Sequence, residues 1–126
     1  MQLGEIGQIM VSVSDVDRAV AFYRDALGLR FLFQVPGRPM AFFDAGGIRL
    51  YLGVPEKEQF KAAATLYFRV PDIDAAHAEL SARGVQFIEQ PHLTHDDGTT
   101  ALWLAFFTDS EGNYHSLMEE RSSGAG

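Results

Sequence analysis

The stretch GQIMVSVSDVD at residues 7–17 decides the fold, because its pattern returns at residues 64–74 as ATLYFRVPDID. In both copies, apolar residues occupy every second position, and a turn of the form aspartate–hydrophobic–aspartate follows. This alternation is typical of a β-strand with one buried face. An internal repeat of this kind predicts two similar modules in one chain.

A helical pattern and three further strands follow each copy of the repeat. Each helix has capping residues before it and a glycine at its end: Ser14 or Asp15 with Gly28, and Asp72 or Asp74 with Gly84. The predicted strands are 29–34, 40–44 and 48–52 in the first module, and 85–89, 101–107 and 114–118 in the second. The sequence therefore predicts an α+β fold, in which two β-α-β-β-β modules form a cup-shaped mixed sheet with the helices outside. The alternative is an unrelated α+β domain whose halves resemble each other by coincidence.

The predicted domain boundaries follow from the same pattern. With 126 residues the chain has the length of one domain, and we assign that domain to residues 1–121. Module one covers about 5–53 and module two about 64–120, while the mixed-charge stretch 54–63 is the linker. Residues 122–126 are predicted to form a flexible tail.

The composition excludes several classes of protein. The chain has no cysteine, so it has no disulfide framework, thiolate metal site or cysteine nucleophile. Its formal net charge of −7 argues against nucleic acid as a partner, because phosphates are bound by basic surfaces. No apolar run approaches the length of a membrane span and no signal peptide is recognised, so we expect a cytoplasmic protein without a membrane partner.

Two segments carry a resemblance to a known family. Residues 13–28, VSDVDRAVAFYRDALG, resemble the first-helix motif of the vicinal-oxygen-chelate superfamily, which contains glyoxalases, bleomycin-resistance proteins and dioxygenases. Residues 109–113, DSEGN, are similar to the last hairpin of that family, where proline more often stands at the position of Ser110. The resemblance extends from Gly7 to about Glu119. It implies paired βαβββ modules, a homodimer, and a cup-shaped site that often holds a divalent metal.

The resemblance also locates the four metal-ligand positions of the family. They correspond to Gln8, Thr65, Tyr51 and Ser116, or to Arg49 in place of Tyr51 if the strand register shifts by two. None of these side chains is a carboxylate or an imidazole, which are the groups that a divalent cation requires. We therefore expect no metal and no other cofactor. Glyoxalase-like isomerisation and ring-cleaving dioxygenation are disfavoured, because both use the metal as a Lewis acid.

Strand alternation assigns a different set of side chains to the cup. This predicted ligand-binding set is polar and aromatic, and it consists of Gln8, Met10, Arg49, Tyr51, Thr65, Tyr67, Arg69, Trp103, Tyr114 and Ser116. Tyrosines can stack on a flat ligand, and an arginine can bind its carboxylate or phosphate. Trp103 is assigned either to the cup wall or to a dimer contact. The alternative is a solvated sheet face that binds no ligand.

The four histidines are interpreted mainly as structural residues. His115 alternates out of phase with Ser116, so we expect it to be packed and hydrogen-bonded in the core. His77 is expected on the helix surface. His92 and His95 precede two aspartates in a turn-rich segment, which we interpret as a loop at the rim of the cup rather than as a metal site.

The sequence favours a metal-independent small-molecule binding protein whose cup holds a flat aromatic or anionic ligand. The resemblance to antibiotic-sequestering members of the family makes a role in resistance one form of this hypothesis. Arg49 and Arg69 would repel a cationic drug, which favours a neutral or anionic ligand. The alternative is a glyoxalase- or dioxygenase-like enzyme with a non-standard metal site or a metal-free acid and base, for which the sequence indicates no catalytic residue.

Overall fold

The computed structural model describes residues 1–123, apart from the side chain of Phe60. The chain divides into two compact units, Met1–Ala64 and Thr65–Gly126, which we call unit 1 and unit 2. Each unit contains a β-sheet and an α-helix, so the predicted α+β class is confirmed. Residues 124–126, at the end of the predicted tail, lie outside the described residues.

Unit 1 is a β-α-β-β-β module, as the repeat predicts. Its elements are β1 (Gln8–Ser12), α1 (Val16–Ala21), a π-helical turn (Phe22–Ala26), β2 (Arg30–Gln34), β3 (Met40–Ala45) and β4 (Ile48–Gly53). The strand order in the sheet is β1-β4-β3-β2. β1 runs parallel to β4, and the other two pairs are antiparallel. This arrangement leaves β1 and β2 at the edges of the sheet.

The first helix begins and ends where its sequence predicts. The Asp15 carboxylate accepts a hydrogen bond from the Arg18 N–H at 3.0 Å, so Asp15 is the N-cap. Gly28 has a φ of 75°, a left-handed conformation that glycine adopts at low cost after a helix. The helix packs on β3 and β4. The buried core of the unit includes Val11, Val13, Val16, Ala19, Val20, Tyr23, Ala41, Phe43, Leu50 and Leu52.

The predicted linker is tied to unit 1 rather than extended. It contains a 3₁₀ turn, Glu58–Phe60. Beyond that turn, the backbone N–H of Ser12 donates to the Ala62 carbonyl at 3.0 Å, and the Ala62 N–H donates to the Ser12 hydroxyl at 2.7 Å. The linker therefore returns to the end of β1.

Unit 2 repeats the arrangement with one strand more than predicted. Its elements are β5 (Tyr67–Arg69), α2 (Ile73–Ala82), β6 (Gln86–Phe87), β7 (His92–Asp96), β8 (Thr100–Thr108) and β9 (Tyr114–Ser122). The main strand order is β5-β9-β8-β6, and β7 also pairs with β8. Asp72 is the N-cap of α2, because its carboxylate accepts from the Ala75 N–H at 3.1 Å.

The prediction of a loop at residues 92–96 is wrong, and so is the length of the strand predicted at 85–89. β6 has two residues, and the chain then resumes as β7 along the same edge of β8. The interruption contains Pro91, which has no N–H to donate to a strand ladder. The polar histidines and threonine of β7 hid its strand character, because they mask any alternation of apolar and polar residues.

The last strand extends beyond its predicted end at Met118. Ser122 still pairs with Thr100, and the Ser123 N–H donates to the Thr99 carbonyl at 2.9 Å. The charged residues that follow Met118 suggested a strand end, but they belong to a strand that is held by its long antiparallel partner β8.

Within the part of the chain that the structure describes, no helix has the length and hydrophobicity that crossing a membrane requires.

Candidate ligand-binding face

The face of the unit 1 sheet that does not carry the helix holds four of the predicted ligand-binding residues. Gln8 pairs with Arg49 and Met10 pairs with Tyr51 in the parallel register of β1 and β4. Paired residues of neighbouring strands project from the same side of a sheet. The structure thus brings Gln8, Met10, Arg49 and Tyr51 together as predicted.

Two phenylalanines that sequence reasoning missed complete this face. Phe42 of β3 pairs with Tyr51, and Phe33 of β2 pairs with Phe42. The Phe33 and Phe42 ring centroids are 4.7 Å apart with the planes 29° from parallel, and those of Phe42 and Tyr51 are 5.0 Å apart at 17°. Three rings from three strands therefore form one stack. We call the stack, together with Gln8, Met10 and Arg49, the aromatic face.

The two ends of the ring stack differ in exposure. Phe42, in the middle, is 8% exposed, whereas Phe33 on the edge strand β2 is 46% exposed. Tyr51 is half-buried. A ring that is open on an edge strand offers a surface on which another flat aromatic group can stack.

Arg49 is one of three charged groups on this side of the sheet: Asp44 is its cross-strand partner, and the Asp44 carboxylate lies 3.9 Å from the Arg30 guanidinium. The Nε of Arg49 donates to the Gln8 side-chain oxygen at 2.7 Å, and its guanidinium carbon lies 5.4 Å from the centroid of the Phe42 ring. Among residues 1–123, no carboxylate lies within ion-pair distance of this guanidinium. The neutral Gln8 amide orients the guanidinium without neutralising its charge, so an anion is the expected partner.

The corresponding face of unit 2 has a different character. Tyr67 and Tyr114 are exposed, and the Tyr67 ring meets the Phe106 ring edge-on with the centroids 5.9 Å apart. Arg69 forms an ion pair with Glu120 at 2.8 Å, so its charge is already compensated. An unpaired positive charge beside an aromatic stack is therefore a feature of unit 1.

The other three predicted ligand-binding residues of unit 2 differ in position: Ser116 pairs with Tyr67 and lies on the same side of the sheet, whereas Trp103 does not. Ser116 is fully buried, and its hydroxyl donates to the Leu117 carbonyl at 2.7 Å. Thr65 is exposed but precedes β5, which begins at Tyr67. Trp103 pairs with Glu119, one residue out of phase with Met118, and it therefore projects from the opposite side of the sheet. There its ring lies under the Arg121 guanidinium, at 4.6 Å.

The model of the Glyoxalase/Bleomycin resistance protein/Dioxygenase superfamily matches residues 5–115 of the chain. The chain belongs to this superfamily. A glyoxylase-like domain-containing protein of Didymella fabae is 30% identical, with 90% of this chain and 92% of that protein covered. The uncharacterized protein YraH of Bacillus subtilis is 29% identical, with 89% and 93% covered.

A solved structure of a superfamily member from Sphaerobacter thermophilus matches with a TM-score of 0.74 at 24% identity, and covers 93% of this chain and 98% of its own. At that identity the likeness shows the fold alone. The resemblance predicted from the two sequence motifs is confirmed.

The metal that superfamily enzymes hold does not fit the residues found at its ligand positions. Gln8 is bound to the Arg49 guanidinium, whose positive charge would repel a cation. Ser116 is buried and directs its proton to a carbonyl, and the remaining two groups, Tyr51 and Thr65, are neutral hydroxyls. A divalent cation needs several charged or imidazole ligands to offset its charge. We assign no metal-dependent step to these residues.

All four histidines belong to unit 2. His115 is fully buried, accepts from the Leu66 N–H at 3.1 Å, and faces Asp109 at 3.4 Å, so its predicted core role is confirmed. His77 is half-buried rather than exposed, because its ring packs on Phe87 with the centroids 4.3 Å apart. In the described part of the chain, no group of three or more histidines and carboxylates could hold a metal ion.

Proposed function

We propose that this superfamily member is a metal-independent binding protein for a flat aromatic anion, and that the aromatic face of unit 1 holds the ligand. The observation that carries the proposal is the guanidinium of Arg49, which lies beside a three-ring stack with a neutral partner only. Arginine presents a planar fork of donors that matches a carboxylate. The stack supplies apolar area for the ring of the ligand.

The contact with Gln8 supports the proposal because it fixes the donor geometry in advance. A guanidinium held at 2.7 Å by an amide loses less side-chain freedom when an anion binds. Among the residues that the structure describes, its other N–H donors have no hydrogen-bond partner and are open to a carboxylate. The same amide would be a poor metal ligand, so one feature favours anion binding and disfavours a metal.

The acidic composition of the chain does not prevent the binding of an anion. Charges are screened over about 8 Å at physiological salt, so the net charge of −7 acts weakly at the distance of a direct contact. What decides affinity is the charge within a few ångströms of the ligand. On this side of the sheet Arg49 provides a positive charge without an ion-pair partner, whereas the neighbouring Asp44 carboxylate is at ion-pair distance from Arg30.

Our first prediction concerns ligand-induced stabilisation. An aromatic carboxylate such as cinnamate, at 100 times its dissociation constant, should stabilise the protein by about 2.7 kcal/mol, which raises the melting temperature by several degrees. Arg49→Met should abolish this shift but leave the melting temperature of the free protein within about 2 °C, because Arg49 is exposed. Differential scanning fluorimetry measures both effects.

Arg69→Met is the matched control for Arg49→Met. Arg69 is also an exposed strand arginine, but it lies on unit 2 and is paired with Glu120, so this variant should keep the full shift. Equal losses in the two variants would contradict the anchoring role of Arg49. Stabilisation by cationic glycopeptides alone would favour drug sequestration, and a stoichiometric transition metal in the purified protein would contradict a metal-independent function.

We also propose that the protein is a homodimer. Edge strands carry exposed apolar side chains, among them Leu32 on β2 and Leu93 on β7. Exposed apolar edges favour pairing with another chain. We expect a total buried area on the order of 1,500 Å² or more. Sedimentation at micromolar concentration should show about twice the 13.9 kDa chain mass, and a species of 13.9 kDa throughout the concentration range would contradict the dimer.

A further inference from the structure

We propose that Gly53 is a positioning residue of the aromatic face, and this inference rests on the ligand site proposed above. A Cβ atom at Gly53 would lie 2.5 Å from both Cε1 and the hydroxyl oxygen of Tyr51, and 2.6 Å from Cζ. Ordinary contacts of a Cβ atom begin at about 3.4 Å. The Tyr51 ring therefore occupies the space that any side chain at position 53 would need.

Gly53 is required for this close approach and not for an unusual backbone conformation. It is the last residue of β4, where it pairs with Ser12 on one side and Met40 on the other. Its φ is not among the positive values found at the turn glycines. Any residue can adopt an extended strand backbone, so the absent side chain is what matters at this position.

The position of the Tyr51 ring has two consequences for the face. The ring lies along its own strand, which keeps it nearly parallel to Phe42 and completes the stack. Its hydroxyl lies above Gly53, two residues beyond Tyr51, whereas Arg49 stands two residues before Tyr51 on the same strand. The phenol and the guanidinium therefore approach the face from opposite directions along β4.

This arrangement defines the class of ligand more narrowly. Among residues 1–123, the Tyr51 hydroxyl has no protein partner at hydrogen-bond distance. A ligand with a polar group that hydrogen-bonds to this hydroxyl gains affinity that a ligand without such a group lacks. The face should therefore prefer an elongated aromatic acid that carries a hydroxyl or another polar group at the end remote from its carboxylate.

The experiment compares Gly53→Ala with a matched control, Gly7→Ala. A Cβ atom at Gly7 would meet no atom within 4 Å, and its φ is not positive. The probes are 4-hydroxycinnamate and cinnamate, which differ only in the remote hydroxyl, and calorimetry measures their dissociation constants. NMR chemical shifts of the Tyr51 ring in the unliganded protein report its stacking on Phe42.

In the wild type and in Gly7→Ala, 4-hydroxycinnamate should bind roughly tenfold more tightly than cinnamate. This ratio of dissociation constants corresponds to the free energy of about one hydrogen bond. Gly53→Ala should shift the Tyr51 ring resonances and reduce this ratio towards one. The fold should survive, because the clash is with the far end of a side chain, and the ring can move without the backbone. Unchanged ring resonances in Gly53→Ala, or an unchanged ratio, would overturn the inference.

The inference and the proposed function can fail separately. If the wild type binds neither acid, the proposed function fails, but the ring resonances of Gly53→Ala still test the role of Gly53. If Gly53→Ala is too unstable to study, the double variant Tyr51→Ala, Gly53→Ala decides instead. Without the Tyr51 ring, alanine at position 53 meets no clash, so the double variant should have the same melting temperature as Tyr51→Ala alone. A lower melting temperature of the double variant would contradict the contact between Gly53 and the Tyr51 ring.

Discussion

Replacement of Asp109 by alanine should lower the free energy of unfolding by about 3 kcal/mol or more, and the melting temperature by about 10 °C. The Asp109 side chain is fully buried. One of its oxygens accepts from the backbone N–H groups of Glu111 and Asn113 at 2.9 and 2.8 Å, and the other accepts from the Asn113 side-chain amide at 3.0 Å. Alanine would leave these part-buried donors without their acceptor.

The loss extends to β5 through His115. The Nδ1 atom of His115 accepts from the Leu66 N–H at 3.1 Å, so the ring proton is on Nε2, which lies 3.4 Å from the Asp109 carboxylate. The carboxylate therefore orients a ring that holds the residue preceding β5. Removal of the carboxylate weakens the hairpin and this contact together.

Asp97→Ala is the control for Asp109→Ala. The Asp97 carboxylate also accepts from two backbone N–H groups, those of Thr99 and Thr100 at 2.8 Å, but it is exposed. The hydrogen bond from the Thr100 N–H, and to a smaller extent the one from the Thr99 N–H, holds the pKa of Asp97 below its usual value. Its loss should cost less than about 1 kcal/mol in urea unfolding, because water replaces the lost acceptor. Equal losses in the two variants would contradict the role assigned to burial and to His115.

The features that could be predicted from the sequence depend on short-range patterns. Alternation in the two repeats predicted β1 and β5. The caps Asp15 and Asp72 were each one of two candidates, because an N-cap acts locally and can be narrowed to neighbouring polar residues from the sequence. His115 could be assigned to the core because it stands one residue out of phase with Ser116. These inferences hold without knowledge of which strands are neighbours.

The features that could not be predicted depend on strand pairing. Phe42 and Phe43 are adjacent and equally apolar, so the sequence does not indicate which of them faces the helix. That choice is made by the register with β4, in which Phe42 pairs with Tyr51 and Phe43 with Leu50. The ring stack was missed for this reason, and β7 was missed because a strand of polar residues is recognisable only from its partner.

Phe43→Ala should cost about 3–5 kcal/mol of unfolding free energy, the range for removing a buried phenylalanine ring. Phe43 is 0% exposed, and its ring lies 5.5 Å from that of Phe31 and 6.0 Å from that of Tyr23, measured between centroids. The helix of unit 1 covers this side of the sheet, so neighbouring side chains can fill the cavity only in part. Urea unfolding measures the loss.

Phe33→Ala is the control for Phe43→Ala, because it also removes a phenylalanine ring, but from the opposite face of the same sheet. Phe33 is exposed on an edge strand and stacks on Phe42, so its loss should cost no more than about 1.5 kcal/mol. It should instead weaken the binding of cinnamate, which Phe43→Ala would not do by direct contact. A loss of stability in Phe33→Ala as large as that in Phe43→Ala would contradict the assignment of the two faces, and with it the aromatic face as an open ligand surface.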